Sequence, residues 1–449
     1  MMRIEEDSLG QALIHEDSYE GIHTYRAKEN FTISTAVVDP KLLHAMILIK
    51  SAAASANGRA ELIETKKVEA IKKATRDVLD QTISLDCKLD AIQGGAGTST
   101  NMYINEVLAN RALEHLQYTK GEYQYLDPLD DVNRSQSTND VYPSSGKIAI
   151  YLYMIELDRV LGSLIAAFHK KAQEYATVQK MGRTQLQDAV PTTFGTTFSA
   201  FATSLARCQK RLSTSRKELT SLNLGGTAIG TGVNASPIYQ QAIYEELNHL
   251  LPFKVYPADH LVDATQHIDQ FVQISSSLKA LAVALSKIAH DLRLMASGPR
   301  SGLNEIQLPK RQAGSSIMPG KVNPVIPEVV QQVAFQVMGS DVTITLAAQS
   351  GELELNPFEP IIFHHLFLSL TSLIQVCDTF QTKCVEGIVV NERHCQQQVD
   401  QSVSLATRLT PLIGYKKASE LVEKALKENQ PIEAFLSEEV ILKLHKVRN

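Results

Sequence analysis

The sequence lacks the patterns by which disulfide frameworks, metal sites and nucleic-acid binding domains are usually found. Its five cysteines are scattered and form no C-x-x-C pair, which argues against a disulfide framework or zinc ribbon and favours free thiols in a reducing cytosol. No histidines have H-E-x-x-H or related spacing, so we expect no catalytic metal. The net charge of -5 does not supply the basic field that nucleic-acid binding requires. A small anionic ligand would therefore need positive charge concentrated at one site.

Signals for export and membrane insertion are also missing. The first ten residues, MMRIEEDSLG, are acidic and contain no apolar segment of the kind a secretory signal needs. The most apolar uncharged stretch, 360–377, includes His364, His365 and several hydroxyl residues, and we interpret it as a buried helix rather than a membrane span. We therefore expect a cytoplasmic protein without a membrane partner.

Long helical periodicities dominate the chain, whereas strand-like alternation is scarce. Apolar residues recur at spacings of three and four through 148–178, 198–222, 268–294 and 329–337. The pattern predicts a mainly α fold built on a central bundle of long helices, with Gly-rich loops at its ends. Broad apolar faces on such helices also predict a homo-oligomer.

Changes in this pattern along the chain predict three domains. Residues 1–138 mix short helices with loops and form the N-terminal domain. Residues 139–393 hold the long helices of the central bundle, and residues 394–449 form a small helical C-terminal domain. No internal repeat or low-complexity tract interrupts them.

Four segments rich in hydroxyls and amides are candidate site loops: 94–101, 135–140, 182–188 and 314–324. Each begins or ends a helical segment in the predicted pattern. Their Ser, Thr, Asn and Gln side chains are donors that suit a small polyanion. Helix capping explains any one of these loops equally well, but four together favour an anion site. The run 314–324, GSSIMPGKVNP, is the richest, and Lys321 supplies its cation.

Two runs of the sequence match a known binding motif only in part. Residues 314–321 resemble a phosphate-binding P-loop, but five residues rather than four separate Gly314 from Gly320, and Val322 stands where Ser or Thr is required. The run GTGVNA at 230–235 fits a dinucleotide fingerprint, but no βαβ pattern surrounds it. We interpret it as a tight Gly-rich loop and expect no organic cofactor.

These segments resemble the aspartase/fumarase superfamily. Its signature G-S-S-x-M-P-x-K-x-N-P is intact at 314–324, and the resemblance extends from about Gly21 to the C-terminal region. The blocks KGEYQYLDP, QSTNDVYP, GRTQLQDAVP and GTAIGTG are most similar to its aspartase branch. The resemblance implies reversible elimination of ammonia from L-aspartate to give fumarate, without a cofactor. It also implies a three-domain helical protomer, and a homotetramer whose active sites each collect loops from three subunits.

The resemblance further implies roles for individual residues. Ser315 is expected to act as the general base in its alkoxide form, which requires nearby backbone N–H groups and positive charge to depress its pKa. Lys321 is the second catalytic residue and holds the α-carboxylate of the substrate. The remaining substrate-binding residues implied are Thr98, Ser137, Thr138 and Ser316 for the β-carboxylate, Thr184 and Asn323 for the α-carboxylate, Asn139 and Gln185 near the amino group, and Met318 in the signature loop.

Departures from the family pattern bear on the leaving group. Gln185 stands where fumarases and many other relatives carry histidine, and an amide cannot take up a proton, which favours ammonia elimination. Tyr103 replaces a usual asparagine and leaves the exact substrate preference open. The alternatives are a fumarate hydratase, another lyase of the superfamily, or a non-catalytic helical tetramer on the same scaffold.

Overall fold

The computed structural model describes residues 1–403 and 405–441, and its architecture confirms the predicted mainly α fold. Helices account for most of the described backbone. In chain order they are α1 Ile22–Asn30, α2 Pro40–Arg59, α3 Thr65–Leu79, α4 Thr98–His115, α5 Thr138–Glu174, α6 Phe194–Ser215, α7 Pro237–Leu250, α8 Leu261–Gln266, α9 Asp269–Met295, α10 Val325–Gln349, α11 Glu359–Lys383, α12 Glu392–Asp400, α13 Leu405–Ile413 and α14 Tyr415–Glu428. Of these, α5, α9, α10 and α11 are the longest. Short π or 3-10 turns occur at Pro128–Val132, Arg216–Thr220, Val385–Gly387 and Ile432–Phe435.

Short strands form four two-stranded sheets in the described chain. The antiparallel pairs are β1 Met2–Asp7 with β2 Gly10–His15, β3 Gln179–Thr184 with β4 Gln187–Thr193, and β7 Ile306–Gln307 with β8 Val389–Val390; the parallel pair is β5 Ser221–Leu222 with β6 Tyr256–Pro257. Two expectations are therefore wrong. The N-terminal region contains a β-hairpin as well as helices and loops, and the loop 182–188 is a hairpin turn rather than a helix end.

The chain divides into two compact units, which we describe separately. The first unit comprises Met1–Asp158, Lys210–Ala282 and Phe335–Leu373. The second comprises Arg159–Gln209, Val283–Ala334 and the chain from Ile374 onward. The three predicted domains stay a prediction, and residue 404 and residues 442–449 of the C-terminal one lie outside the described residues.

Aromatic packing between helices organises the core of the first unit. Phe363 of α11 is buried against Tyr142 of α5, with ring centroids 5.3 Å apart, and against Phe271 of α9 at 5.0 Å. Gly146 permits this approach, because a Cβ there would lie 2.1 Å from the Phe363 ring. The beginning of α5 is thus fixed by packing in the core.

The second unit has an aromatic core of its own. Phe168 of α5 packs edge-on against Phe201 of α6 and Phe380 of α11, with centroid distances of 5.7 and 6.1 Å. A separate apolar cluster joins α13, α14 and the Ile432–Phe435 turn, and its buried members are Leu409, Ala418, Ala425 and Ile432. These contacts bury the apolar stripes that the sequence places on one face of each helix.

Two helical segments, Asp269–Met295 and Glu359–Gly387, are long and apolar enough to cross a membrane by length and composition alone. Half or more of each apolar window is buried within the protein, at 50% and 61%. Core helices of globular proteins pass the same test, so this is weak evidence for a membrane span. The interpretation of 360–377 as a buried helix is confirmed by α11.

Candidate active site

The signature run 314–324 is a loop between β7 and α10, as predicted, and its two ends are held together. The backbone N–H of Gly314 donates to the carbonyl of Lys321 at 3.0 Å, and the Asn323 Nδ2 donates to the Gly314 carbonyl at 3.0 Å. A Cβ on Gly314 would lie 2.3 Å from the Lys321 oxygen, so this closure requires glycine. The loop is therefore a closed unit with its own backbone contacts.

Ser315 lies inside this closed loop and is half-buried. Its Oγ accepts the backbone N–H groups of Ile317 at 3.2 Å and Met318 at 3.1 Å. Two N–H dipoles directed at one oxygen stabilise negative charge on it, which is what a serine needs to act as a base. The donors come from the loop itself.

Lys321 is exposed at the end of the same loop. Among residues 1–403 and 405–441 its ammonium group has no hydrogen-bond or ion-pair partner, so it can bind a carboxylate without first breaking a contact. Lys321 and Asn323 line a cavity of about 950 Å³ within the second unit, together with Lys310 and Arg293. Arg293 lies 3.7 Å from the Glu328 carboxylate, which also lines the cavity, so Lys310 and Lys321 are the cations that suit an anionic ligand there. Ser316 and Met318 are exposed in the loop.

The turn between β3 and β4 carries Thr184 and Gln185. Gln185 and Leu186 have φ values of 54° and 64°, which makes a two-residue turn in the left-handed region and leaves both side chains exposed. The hairpin is held at its base by Glu305, whose fully buried carboxylate forms ion pairs with Lys180 at 3.1 Å and with Arg183. Sequence reasoning missed Glu305, since nothing in its local pattern distinguishes it from a surface carboxylate.

In the first unit, Thr98 begins α4 and is exposed at the helix N-terminus. The unpaired N–H groups and partial positive charge of a helix N-terminus favour an anion. Gly97 precedes it with φ 87°, and a Cβ there would lie 2.4 Å from the Tyr142 ring. The α4 terminus therefore packs directly on the beginning of α5.

The segment Ser137, Thr138 and Asn139 begins α5, and its polar groups are extensively hydrogen-bonded. The Thr138 Oγ1 accepts from the Asn101 Nδ2 at 3.1 Å, one turn along α4 from Thr98. The Ser137 Oγ accepts from the backbone N–H of Asn139 at 3.2 Å, and the Asn139 Nδ2 donates to the Ala228 carbonyl at 2.8 Å. The structure thus brings the first and second candidate loops together.

Asp140 ties this segment to the Gly-rich loop that follows β5. Its buried carboxylate accepts backbone N–H groups from Ser137 at 3.0 Å and from Gly225 and Thr227 at 3.1 Å each. Burial raises the pKa of Asp140 to about 6, while these hydrogen bonds oppose the rise.

The run 230–235 belongs to the same Gly-rich region, and Gly230 and Gly232 have φ values of 86° and 72°. The interpretation of GTGVNA as a tight loop is confirmed.

The candidate residues are divided between the two units. Thr98, Ser137, Thr138 and Asn139 lie in the first, whereas Thr184, Gln185, Ser315, Ser316, Met318, Lys321 and Asn323 lie in the second. Within the described residues, no group of three or more His, Cys, Asp or Glu side chains is placed to hold a metal ion. The candidate residues offer hydroxyl and amide donors, the ammonium group of Lys321, and a serine oxygen that accepts two backbone N–H groups.

A family model described as lyase matches residues 10–339, well over half of the chain. The chain therefore belongs to this lyase family within the aspartase/fumarase superfamily, as its signature loop predicted.

Individual relatives extend the match to the whole chain. An aspartate ammonia-lyase from Helicobacter pylori is 48% identical over 443 residues, covering 98% of this chain and 95% of its own length. The crystal structure of fumarate lyase:delta crystallin from Brucella melitensis bound to cobalt is 46% identical with a TM-score of 0.96, covering 100% of this chain and 99% of that one. A class II fumarase from Schistosoma mansoni is 32% identical with a TM-score of 0.92, covering 99% and 96%. The fumarase-type helical protomer is confirmed.

Proposed function

We propose that this chain is an aspartate ammonia-lyase, a carbon–nitrogen lyase that reversibly converts L-aspartate to fumarate and ammonia. The observation that carries the reaction class is the Ser315 Oγ held by two backbone N–H groups at 3.1 and 3.2 Å. The choice of ammonia as leaving group is supported by the 48% identical aspartate ammonia-lyase and by Gln185 in place of histidine.

The difficult step is removal of a Cβ proton beside a carboxylate, because that carbon is a very weak acid. Ser315, as the alkoxide, takes this proton, and the electron pair moves into the β-carboxylate to give an enediolate dianion. The C–N bond then breaks, the double bond of fumarate forms, and ammonia leaves. Donors directed at the developing charge supply the largest catalytic contribution. These donors are Thr98, Ser137, Thr138 and Ser316.

The α-carboxylate is held by the free ammonium of Lys321, with Thr184 and Asn323 as neutral donors. Asn139 uses its Nδ2 on Ala228, which leaves its Oδ1 to accept from the substrate amino group. Gln185 assists there, and Met318 packs against the bound substrate. Charge-assisted bonds to carboxylates are shorter and stronger than neutral ones, so Lys321 should dominate ground-state binding.

We propose a homotetramer whose active sites each combine loops from three subunits. An exposed apolar stripe on α10 supports this, formed by Phe335, Val342 and Leu346 at exposures of 59%, 59% and 55%. Gly339 continues the stripe and would allow close helix approach. Stripes of this size on a long helix are suited to packing against copies of the same helix. We place the enzyme in the cytoplasm.

The second candidate function is fumarate hydratase, which performs the same elimination with water as the leaving group. The 32% identical fumarase structure supports it, and Gln185 opposes it. Fumarate formation from L-aspartate and from L-malate, measured by absorbance on the purified full-length chain, separates the two. We expect turnover of L-aspartate, and turnover of L-malate alone would contradict the proposal.

A further inference from the structure

A lysine lies fully buried beneath the segment that begins α5. Lys50 is 0% exposed and occupies the middle of α2, in the apolar run AMILIKSAAASA. Its Nζ donates to the Asn133 Oδ1 at 2.8 Å and to the Gln136 Oε1 at 2.9 Å. Both acceptors belong to the turn immediately before Ser137.

Burial of this ammonium opposes stability. Burial lowers the pKa of Lys50 to about 7, and the negative charge of Asp140 opposes that shift. A buried cation is often replaceable by an apolar side chain without loss of stability, so stability alone does not explain its presence. Its contacts point instead to a role in orienting neighbours.

Those contacts continue to the Thr138 hydroxyl. The Asn133 Oδ1 that accepts from Lys50 also accepts from Asn101 Nδ2 and from Asn105 Nδ2, at 3.2 Å each. The Asn101 Nδ2 also donates to the Thr138 Oγ1 at 3.1 Å. Because the Lys50 Nζ donates to the Asn133 Oδ1, the Asn133 amide is held with its oxygen as the shared acceptor, which sets the orientation of the Asn101 amide that also donates to it. The Thr138 Oγ1 is then occupied as an acceptor, and its own O–H proton points elsewhere.

The same network contains two unpaired atoms. Within the described residues, the buried Oδ1 atoms of Asn101 and Asn105 have no hydrogen-bond partner. Unpaired buried acceptors are costly, which a network selected for stability alone would avoid. Both amides instead direct their NH₂ groups at Asn133, and the Asn101 amide also directs its NH₂ group at Thr138.

We propose that Lys50 is a positioning residue for the elimination reaction. It holds Asn133 and Gln136, and through Asn133 and Asn101 it presents the Thr138 O–H to the substrate β-carboxylate. This inference rests on the proposed function, because it assigns Thr138 to the carboxylate that becomes the enediolate. Since that contact strengthens as charge develops, its loss should lower kcat more than it raises KM.

The first test replaces Lys50 and a matched buried lysine. Lys50→Met should lower kcat for fumarate formation by about 10- to 100-fold, the cost of small misplacements near the reacting atoms, with a smaller change in KM. Lys147→Met is the control, because Lys147 is also buried and donates to the Ser221 carbonyl at 2.8 Å, away from this turn. Lys147→Met should keep kcat within about twofold of wild type, even if its melting temperature falls by as much as that of Lys50→Met. Equal kcat in the two variants overturns the proposal.

The second test asks whether Lys50 acts through Thr138. Thr138→Val should lower kcat by a similar factor, and adding Lys50→Met to it should cause little further loss. Fully additive losses overturn the proposal. If Thr138→Val alone has no effect, the substrate-binding assignment fails as well. If it lowers kcat while Lys50→Met does not, only the role of Lys50 fails. Should Lys50→Met not fold, Asn133→Leu replaces it in both tests, with the same expected loss and the same overturning results.

Discussion

The segments 135–140 and 314–324 carry similar side chains but are held in opposite ways. The first is anchored by residues far away in the sequence: the Ser135 Oγ donates to Asn57 at 2.7 Å, the Thr138 Oγ1 accepts from Asn101, and Asn139 donates to Ala228. The second is anchored chiefly to itself. Under the proposed function, the first segment is a preorganised set of donors for the substrate carboxylate, whereas the second is a self-contained loop.

The internal hydrogen bonding of the loop 314–324 bears on its local stability and on the surroundings of Ser315. The hydrogen bonds described above for this loop are internal, and segments with few bonds to the rest of a protein open locally at low free-energy cost. The internal hydrogen bonds of the loop join Gly314 to Lys321, and Ile317 and Met318 to Ser315. The two N–H donors of the Ser315 Oγ therefore belong to the same closed loop as the serine itself.

The largest effect should come from Ser315→Ala. Loss of a general base lowers kcat by about 100- to 10,000-fold, and removing one hydroxyl from a half-buried loop should leave the melting temperature nearly unchanged. Fumarate formation and thermal unfolding measure the two quantities. Ser163→Ala is a suitable control, since its Oγ only donates to the Arg159 carbonyl within α5. A Ser315→Ala enzyme with near-normal kcat would remove Ser315 as the base.

Gly314→Ala tests whether the closed base of the loop matters. The new Cβ would meet the Lys321 carbonyl at 2.3 Å, so the loop must open at its base. We expect kcat/KM to fall by about 100-fold because the reacting groups are displaced. Gly162→Ala is the control, as a Cβ there meets only the Gln209 side chain at 3.4 Å. Equal activity in both variants would show that closure of the loop is not needed.

Lys321→Ala should mainly weaken binding. Loss of a hydrogen bond to a charged group costs about 1.5–3 kcal/mol, so KM for L-aspartate should rise by about 10- to 100-fold while kcat changes less. Lys310→Ala removes another cation from the same cavity outside the loop. A rise in KM of the same size for Lys310→Ala would mean that general positive charge, rather than a specific contact, binds the substrate.

The smallest effect is the pH dependence that Lys50 gives to the free energy of unfolding. Because burial lowers the pKa of Lys50 to about 7, the folded state binds fewer protons than the unfolded state above that pH. The stability of wild type relative to Lys50→Met should therefore rise as the pH increases from about 7 towards the ordinary lysine pKa. For Lys147, whose pKa burial lowers to about 8, the rise relative to Lys147→Met should begin later. Denaturant unfolding at several pH values measures both, and a difference independent of pH contradicts the prediction.

Much of the fold and the identity of the signature loop could be predicted from the sequence. Helical periodicity predicted α5, α9 and α11, because a stripe of apolar residues is read directly from spacing. The strands on either side of Gln185 were missed, because two left-handed turn residues, neither of them glycine, give no local hairpin signal. The buried polar anchor Glu305 was missed, since its partners Lys180 and Arg183 are distant in sequence. Lys50 does have a sequence signal, because it is a single charged residue within the apolar run 45–56 of α2.

The Ser315 arrangement also has an evolutionary consequence. The Ser315 Oγ and the two N–H groups that donate to it lie within 315–318, so the proposed base and its donors are encoded by one short peptide. Such a segment can be retained unchanged while distant loops diverge to accept different leaving groups. Under the proposed function, the base and its donors are thus confined to four consecutive residues, whereas Gln185, which favours ammonia as the leaving group, lies in the separate hairpin of β3 and β4.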